Sequence, residues 1–308
     1  MGADAQSVLV VVEPAIHPQE VVERAGWIAR LTGSPLRLLL CDPEVSSLAR
    51  PFIISSATRE IADKIRQAQE AIIDDLAAPL RVSGLEVENE ILAERPVADG
   101  VLQRALETEP LMLVKGTKYH SQAQRAIFVD TDWQLIRSSP YPLWLVKPHE
   151  PAASPVVVAA VDPTHEDDEH AVLDRLIVEQ AKSIAGKAGG ELLLVHTFEP
   201  LTGIGAEATS TFKPIRLPID ELGQRMERAH RERLDALARA CDIDPRKVHQ
   251  LPGRARDILP WFAREHNVDL IVMGALARGG LRKRIIGSTA ERVLDDLPCD
   301  ILIVKRPE

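Results

Sequence analysis

Two stretches decide the fold. Residues 116–148 read GTKYHSQAQRAIFVDTDWQLIRSSPYPLWLVKP, and residues 274–306 read GALARGGLRKRIIGSTAERVLDDLPCDILIVKR. They align without a gap at an offset of 158. Gly116 meets Gly274, Ile127 meets Ile285, Thr131 meets Thr289 and Pro140 meets Pro298. The closing runs Leu143–Lys147 and Ile301–Lys305 coincide. Working outward, the opening SVLVVVEP from Ser7 matches VVVAAVDP from Val156, with Glu13 on Asp162. Start, loop and end recur in one order, so the chain is an internal duplication. The copies span residues 1–149 and 154–308, joined by a short, fairly stiff polar connector, Pro148–Pro155.

Each copy alternates strands with helices. Val156–Val161 is a continuous apolar run, the mark of a strand covered on both faces. Glu169–Ala188 has helical spacing and stops at Gly189-Gly190. Strands follow at Leu192–Thr197, Lys247–Leu251, Leu270–Met273 and Ile301–Val304. Helices are expected from Ile219, at Ala255–Glu265 and at Thr289–Asp296. In the first copy the strands fall near Val8–Val12, Leu36–Cys41, Val87–Leu92, Leu111–Val114 and Leu143–Val146. Its helices fall near Gln19–Leu31, Arg59–Ala78, Ala98–Leu106 and Trp133–Arg137. This alternation predicts an α/β fold: two tandem Rossmann-like domains, each a five-stranded parallel sheet with helices on both faces.

The composition narrows the function. Aromatics are 4% of 308 residues, so the cores are aliphatic, and the net charge of -9 argues against nucleic acid or an anionic membrane as partner. Cys41, Cys241 and Cys299 are too scattered for a disulfide framework or a cysteine-rich zinc site. No 18-residue apolar stretch and no basic leader are present, which predicts a cytoplasmic protein without membrane insertion.

In an open parallel sheet, ligands bind beyond the carboxyl ends of the strands. In the second copy those places hold Asp162, Thr197 and the loop from Gly274 to Thr289. That loop is rich in small residues and ends in Gly287-Ser288-Thr289, directly before a helix. Free N–H groups at a helix start, its dipole and two hydroxyls make a phosphate site. Taken singly the residues have plainer uses. Ser288 or Thr289 can be an N-cap, completed by Glu291 or Arg292, and Asp162 before Pro163 can be a turn residue.

With these residues in view, the chain resembles the universal stress protein family, and in particular its tandem, E-type members. The family's nucleotide motif is Gly, two residues, Gly, nine residues, Gly, then Ser or Thr. Gly274, Ala277, Gly287 and Ser288 stand at those places with the spacing kept. The segment TDWQLIRSSPYPLWLVK is similar to the E-type members. The resemblance implies an adenine nucleotide alpha hydrolase-like fold and a stress-response protein binding ATP, with or without Mg. Asp162 would lie near the ribose and adenine, and the Thr197 backbone at the adenine. Gly274 and Ala277 would approach the phosphates, and Gly287, Ser288 and Thr289 would hold them. Ala277 departs from the motif by one methyl group.

The first copy has Gly116, Tyr119, Val129 and Asp130 at the matching places and Glu13 for the acidic residue. Two glycines and the hydroxyl are gone and a negative charge is added, so this half is expected not to bind nucleotide. The resemblance further implies an intramolecular pseudo-dimer, with a homodimer of chains as an extension and the protein partner open. Other readings stand beside this one. The chain is a nucleotide-independent scaffold, or a carrier of another anionic or amphiphilic metabolite in the second cleft, or a weak ATPase. No Walker loop, GxSxG elbow or HExxH occurs, and no general base can be named.

Three further features have both a functional and a plainer reading. HEDDEH at 165–170 has metal-ligating side chains, but adjacent residues at a helix start diverge, and a solvated first turn is the plainer reading. His196 reads as core packing. Phe198–Leu217 is a long, weakly charged stretch that reads either as a lid or as a loop packed on the sheet.

Overall fold

The computed structural model describes residues 6–41, 56–92, 96–117, 131–150, 152–164, 168–201, 219–274 and 296–306. The chain divides into two compact units, one built on residues up to Glu150 and the other beginning at Pro151.

The first unit runs β1 (Val8–Val12), α1 (Pro18–Thr32), β2 (Leu36–Cys41), α2 (Ser56–Val82) and β3 (Val87–Leu92). It continues with α3 (Val97–Thr108), β4 (Met112–Gly116), α4 (Thr131–Ser138) and β5 (Leu143–Val146). Its strands lie in the order β3-β2-β1-β4-β5, every pairing parallel. Helix α1 packs beside α2 and α3 beside α4, one pair on each face, as right-handed crossovers require when the chain reverses its direction across the sheet. All five residues of β1 are buried because this strand is covered from both sides. The outer strand β3 is protected by charge instead. Arg37 pairs with Glu88 at 2.6 Å and Arg104 pairs with Glu90, so an intruding strand would have to strip these ions of water.

The second unit repeats the plan. It comprises β6 (Val156–Val161), α5 (Asp168–Lys187), β7 (Glu191–Phe198), α6 (Ile219–Ala240), β8 (Val248–Pro252), α7 (Ala255–Glu265), β9 (Leu270–Gly274) and β10 (Asp300–Val304). The strand order is β10-β9-β6-β7-β8, again all parallel. The doubly wound α/β architecture read from the sequence is therefore present in both copies. In each, the order reverses beside the first strand, between β1 and β4 and between β6 and β9. That switch point opens a crevice at the carboxyl ends.

Several elements run a residue or more beyond their sequence signals, and two of them pass a residue expected to stop them. Helix α2 does not stop before Pro79 but continues to Val82. A proline late in a helix forfeits one N–H bond, and here it lies on an exposed face. The helix ends where Gly84 turns left-handed (φ 87°) and the Leu85 N–H reaches back to the Leu80 carbonyl at 3.1 Å. Strand β4 runs past Val114 to include Lys115, whose side chain is only 1% exposed. The reason is chemical and belongs to the site.

Candidate functional site

The carboxyl edge of the second unit brings three expected residues side by side. In the ladders, Val161 lies opposite His196 and Ala160 opposite Met273. One residue further on, Asp162 sits beside Thr197, while Gly274 lies level with Val161 on the other side. The spacing of neighbouring strands places the outer two about 10 Å apart. Ala277, Gly287, Ser288 and Thr289 lie outside the described residues, as does the stretch Phe198–Leu217 from 202 onward.

Asp162 is held in a fixed pose. Its Oδ1 accepts from the Thr164 hydroxyl at 2.6 Å, and its backbone N–H donates to Asp174 Oδ1 at 3.2 Å. Arg233 of α6 donates to the Thr164 carbonyl at 2.5 Å, bracing the same turn. The Asp162 side chain is 29% exposed, so part of the carboxylate faces the crevice.

Gly274 is also required by packing within its own unit. It has no positive φ; among the described glycines only Gly33, Gly84, Gly189 and Gly253 do. A Cβ here would stand 2.6 Å from Leu173 Cδ2 of α5. The equivalent Gly116 is more constrained, since its Cβ would meet the Ile16 backbone oxygen at 2.9 Å. In both units this glycine lets the chain after the first strand cross close over the sheet.

His196 is buried, as the core reading of the sequence had it, but it is a polar link rather than filler. Its Nδ1 lies 3.1 Å from the Val161 carbonyl and therefore donates there. Its Nε2 then accepts from His230 Nδ1 at 2.8 Å. His230 comes from α6 and rests against Phe198. Burial pulls the His230 pKa below its usual 6.5. The Asp162 charge opposes that shift and the Arg233 charge adds to it. A pKa depressed by folding stabilises the protein above about pH 6.5, and that contribution fades as pH falls through the folded value. In an NMR titration His230 should thus reach its midpoint below 6.5, and His230→Gln should flatten the loss of stability on acidification. A midpoint above 6.5 would refute the assignment.

The first unit fills the matching edge with its own charges. Lys115 Nζ forms ion pairs with Glu13 Oε2 at 2.6 Å and with Asp132 Oδ1 at 2.5 Å, and donates to the Gly116 carbonyl at 3.1 Å. Burial alone would lower the Lys115 pKa, but the charges of Asp132 and Glu13 outweigh it and hold the ammonium above its ordinary range. Asp132 also accepts from the Thr117 hydroxyl at 3.2 Å. The cluster carries a net charge of about -1 by simple valence. Sequence reasoning missed Lys115, Asp132 and His230. At the offset of 158, Met273 and Ala290 replace Lys115 and Asp132 in the second copy, and that contrast was the available signal.

Among the described residues no group of three or more His, Cys, Asp or Glu side chains is placed to hold a metal. The 165–170 cluster lies outside the described side chains. Cys41 and Cys299 are buried core residues. No described helix is long and apolar enough to cross a membrane.

Comparison with known proteins agrees with this plan. A model of the universal stress protein family matches the chain twice, over residues 5–147 and 155–305. Universal stress protein E of Photorhabdus laumondii is 26% identical over 306 residues, covering 98% of this chain and 96% of the relative. The crystal structure of a Pseudomonas aeruginosa PAO1 protein of unknown function matches with a TM-score of 0.73 and 26% identity, covering 98% of this chain and 93% of that one. A shorter universal stress protein from Archaeoglobus fulgidus, solved in complex with dAMP, aligns with 47% of this chain and all of its own length, at 19% identity and a TM-score of 0.35.

Proposed function

The chain belongs to the universal stress protein family, in a tandem arrangement, and on that premise we propose that its second unit binds ATP or a related adenine nucleotide. Binding would bias a conformation or a partner surface in a cytoplasmic stress response. The observation that carries the reading is the row of Asp162, Thr197 and Gly274 at the switch point, followed in sequence by Ala277 and by Gly287-Ser288-Thr289 at family spacing. The exposed part of the Asp162 carboxylate is suited to accept from ribose hydroxyls. The Thr197 backbone would meet the adenine. Gly274 and Ala277 would border the phosphates, and the N–H groups and hydroxyls from Gly287 to Thr289 would hold them. A bound nucleotide would bring its own Mg among its phosphate oxygens.

The first unit supports a single site per chain. Glu13 is engaged by Lys115, and the cluster repels rather than attracts phosphate. Acid extraction of the purified protein followed by mass spectrometry should yield close to one adenine nucleotide per chain, and none from a Gly287→Asp variant. If no nucleotide is found and calorimetry detects no ATP binding, the nucleotide reading fails, and a scaffold or a carrier of another anionic metabolite takes its place.

A further inference from the structure

A groove in the first unit is lined by residues whose counterparts in the second unit have different chemistry. In the first unit a cavity of about 500 Å³ opens between α1 and α2, over the ends of β1 and β2. That volume lies within the range of small-molecule sites. Nine of its twelve lining residues are apolar, and the polar three are Gln19, Glu23 and Asp75. Ile72 lines it while remaining 44% exposed.

The second unit shows what the same positions become when their chemistry changes. Val12 pairs with Leu40 and Val161 pairs with His196, so Leu40 and His196 are equivalent. The helix ends match as well. Leu85 N–H bonds the Leu80 carbonyl, and Ile243 N–H bonds the Ala238 carbonyl, an offset of 158. That offset places Ile72 on His230 and Asp75 on Arg233. Likewise Ser34 N–H bonds Ala29 and Gly190 N–H bonds Ala185, an offset of 156 that places Gln19 on Arg175. Where the second unit joins two imidazoles at 2.8 Å, the first has two aliphatic side chains, Leu40 buried beneath the cavity floor and Ile72 facing the cavity. Where the second carries two arginines, the first carries an aspartate and a glutamine. The difference is two charge units at the first position and one at the second. The Glu13–Lys115–Asp132 cluster beside Val12 and Pro14 adds to the negative side.

We propose that the first unit has a ligand site of its own in this groove, for a compound with an apolar chain and a cationic head. Ile72 and Leu76 receive the chain, and Glu23 and Asp75 receive the charge. The apolar lining supplies affinity, and the two carboxylates supply the sign preference. Because both carboxylates face water, that preference is modest, about tenfold.

The test uses the full chain with n-decylammonium, 1-decanol and n-decanoate, each below its micellar concentration, in calorimetry and native mass spectrometry. Decylammonium should bind once per chain and decanoate about tenfold more weakly. Ile72→Trp, which fills the groove, should remove binding. Glu23→Gln with Asp75→Arg should bring decanoate level with decylammonium or ahead of it. The Gly287→Asp chain should bind decylammonium like the parent, which keeps this site distinct from the nucleotide site. Absence of binding by any probe overturns the proposal. So does decanoate binding as tightly as decylammonium in the parent, or decylammonium binding that Ile72→Trp leaves unchanged.

Discussion

Lys115→Ala is expected to destabilise the first unit by about 3–5 kcal/mol, the usual cost of removing one partner from a buried ion cluster. Lys115 and Asp132 are almost wholly buried and Glu13 nearly so, and the ammonium lies within ion-pair distance of both carboxylates. Without it, two carboxylates face each other with no cation between them, which also raises the local charge from about -1 to about -2. The size of the loss would not mean that the cluster is a net stabiliser. Apolar replacement of a whole buried ion set is often neutral or better. The second copy already contains that experiment, with Met273 and Ala290 at the equivalent positions. Lys115→Met combined with Asp132→Ala should therefore recover most of what Lys115→Ala loses. Urea unfolding followed by tryptophan fluorescence reads the right unit, since Trp27, Trp133 and Trp144 lie in the first and only Trp261 in the second. A single-variant loss under about 1 kcal/mol would mean that water or a proton already compensates the cluster.

Asp269→Ala should cost the second unit at least about 3 kcal/mol. The carboxylate is buried at the start of β9. One oxygen accepts from the Ala152 N–H and the other from the Val156 N–H, both at 2.8 Å. The connector read from the sequence as stiff and polar is thus anchored at its far end by one side chain. Each bond to a charged acceptor contributes about 1.5–3 kcal/mol, and alanine would also leave two amides short of a partner. Asp269→Asn keeps one acceptor oxygen and should lose roughly half as much. Amide exchange at Ala152 and Val156 would accelerate in both variants, and unchanged exchange would count against the account.

These two predictions rest on different kinds of legibility. Strands β1, β2, β3, β5 and β6 and helix α7 begin and end where the apolar runs and spacing place them. Apolar periodicity is a local property, and a doubly covered strand records its burial in every residue. The edge at Asp162, Thr197 and Gly274 was also legible, because a parallel sheet fixes which end of each strand faces the crevice. The ends of α2 and β4 were less so. Pro79 and Lys115 are both stop signals by composition, and each was overruled by its surroundings. For Pro79 the cost was one exposed hydrogen bond. For Lys115 the neighbours were carboxylates from β1's far end and from α4.

The sequence by itself determined the duplication, the alternation of strand and helix, the layered α/β architecture and the row of residues at the second crevice. Only the tertiary structure decided which charged and polar groups would meet. Lys115 lies 102 positions from Glu13 and 17 from Asp132, and His196 lies 34 from His230. No periodicity links such pairs. Strand order brings the end of β4 beside the end of β1, and the packing of α6 on β7 brings the imidazoles together. Burial is written residue by residue in the hydrophobic pattern. Ion pairing depends on the neighbours that the completed sheet provides, and so it becomes readable only in three dimensions.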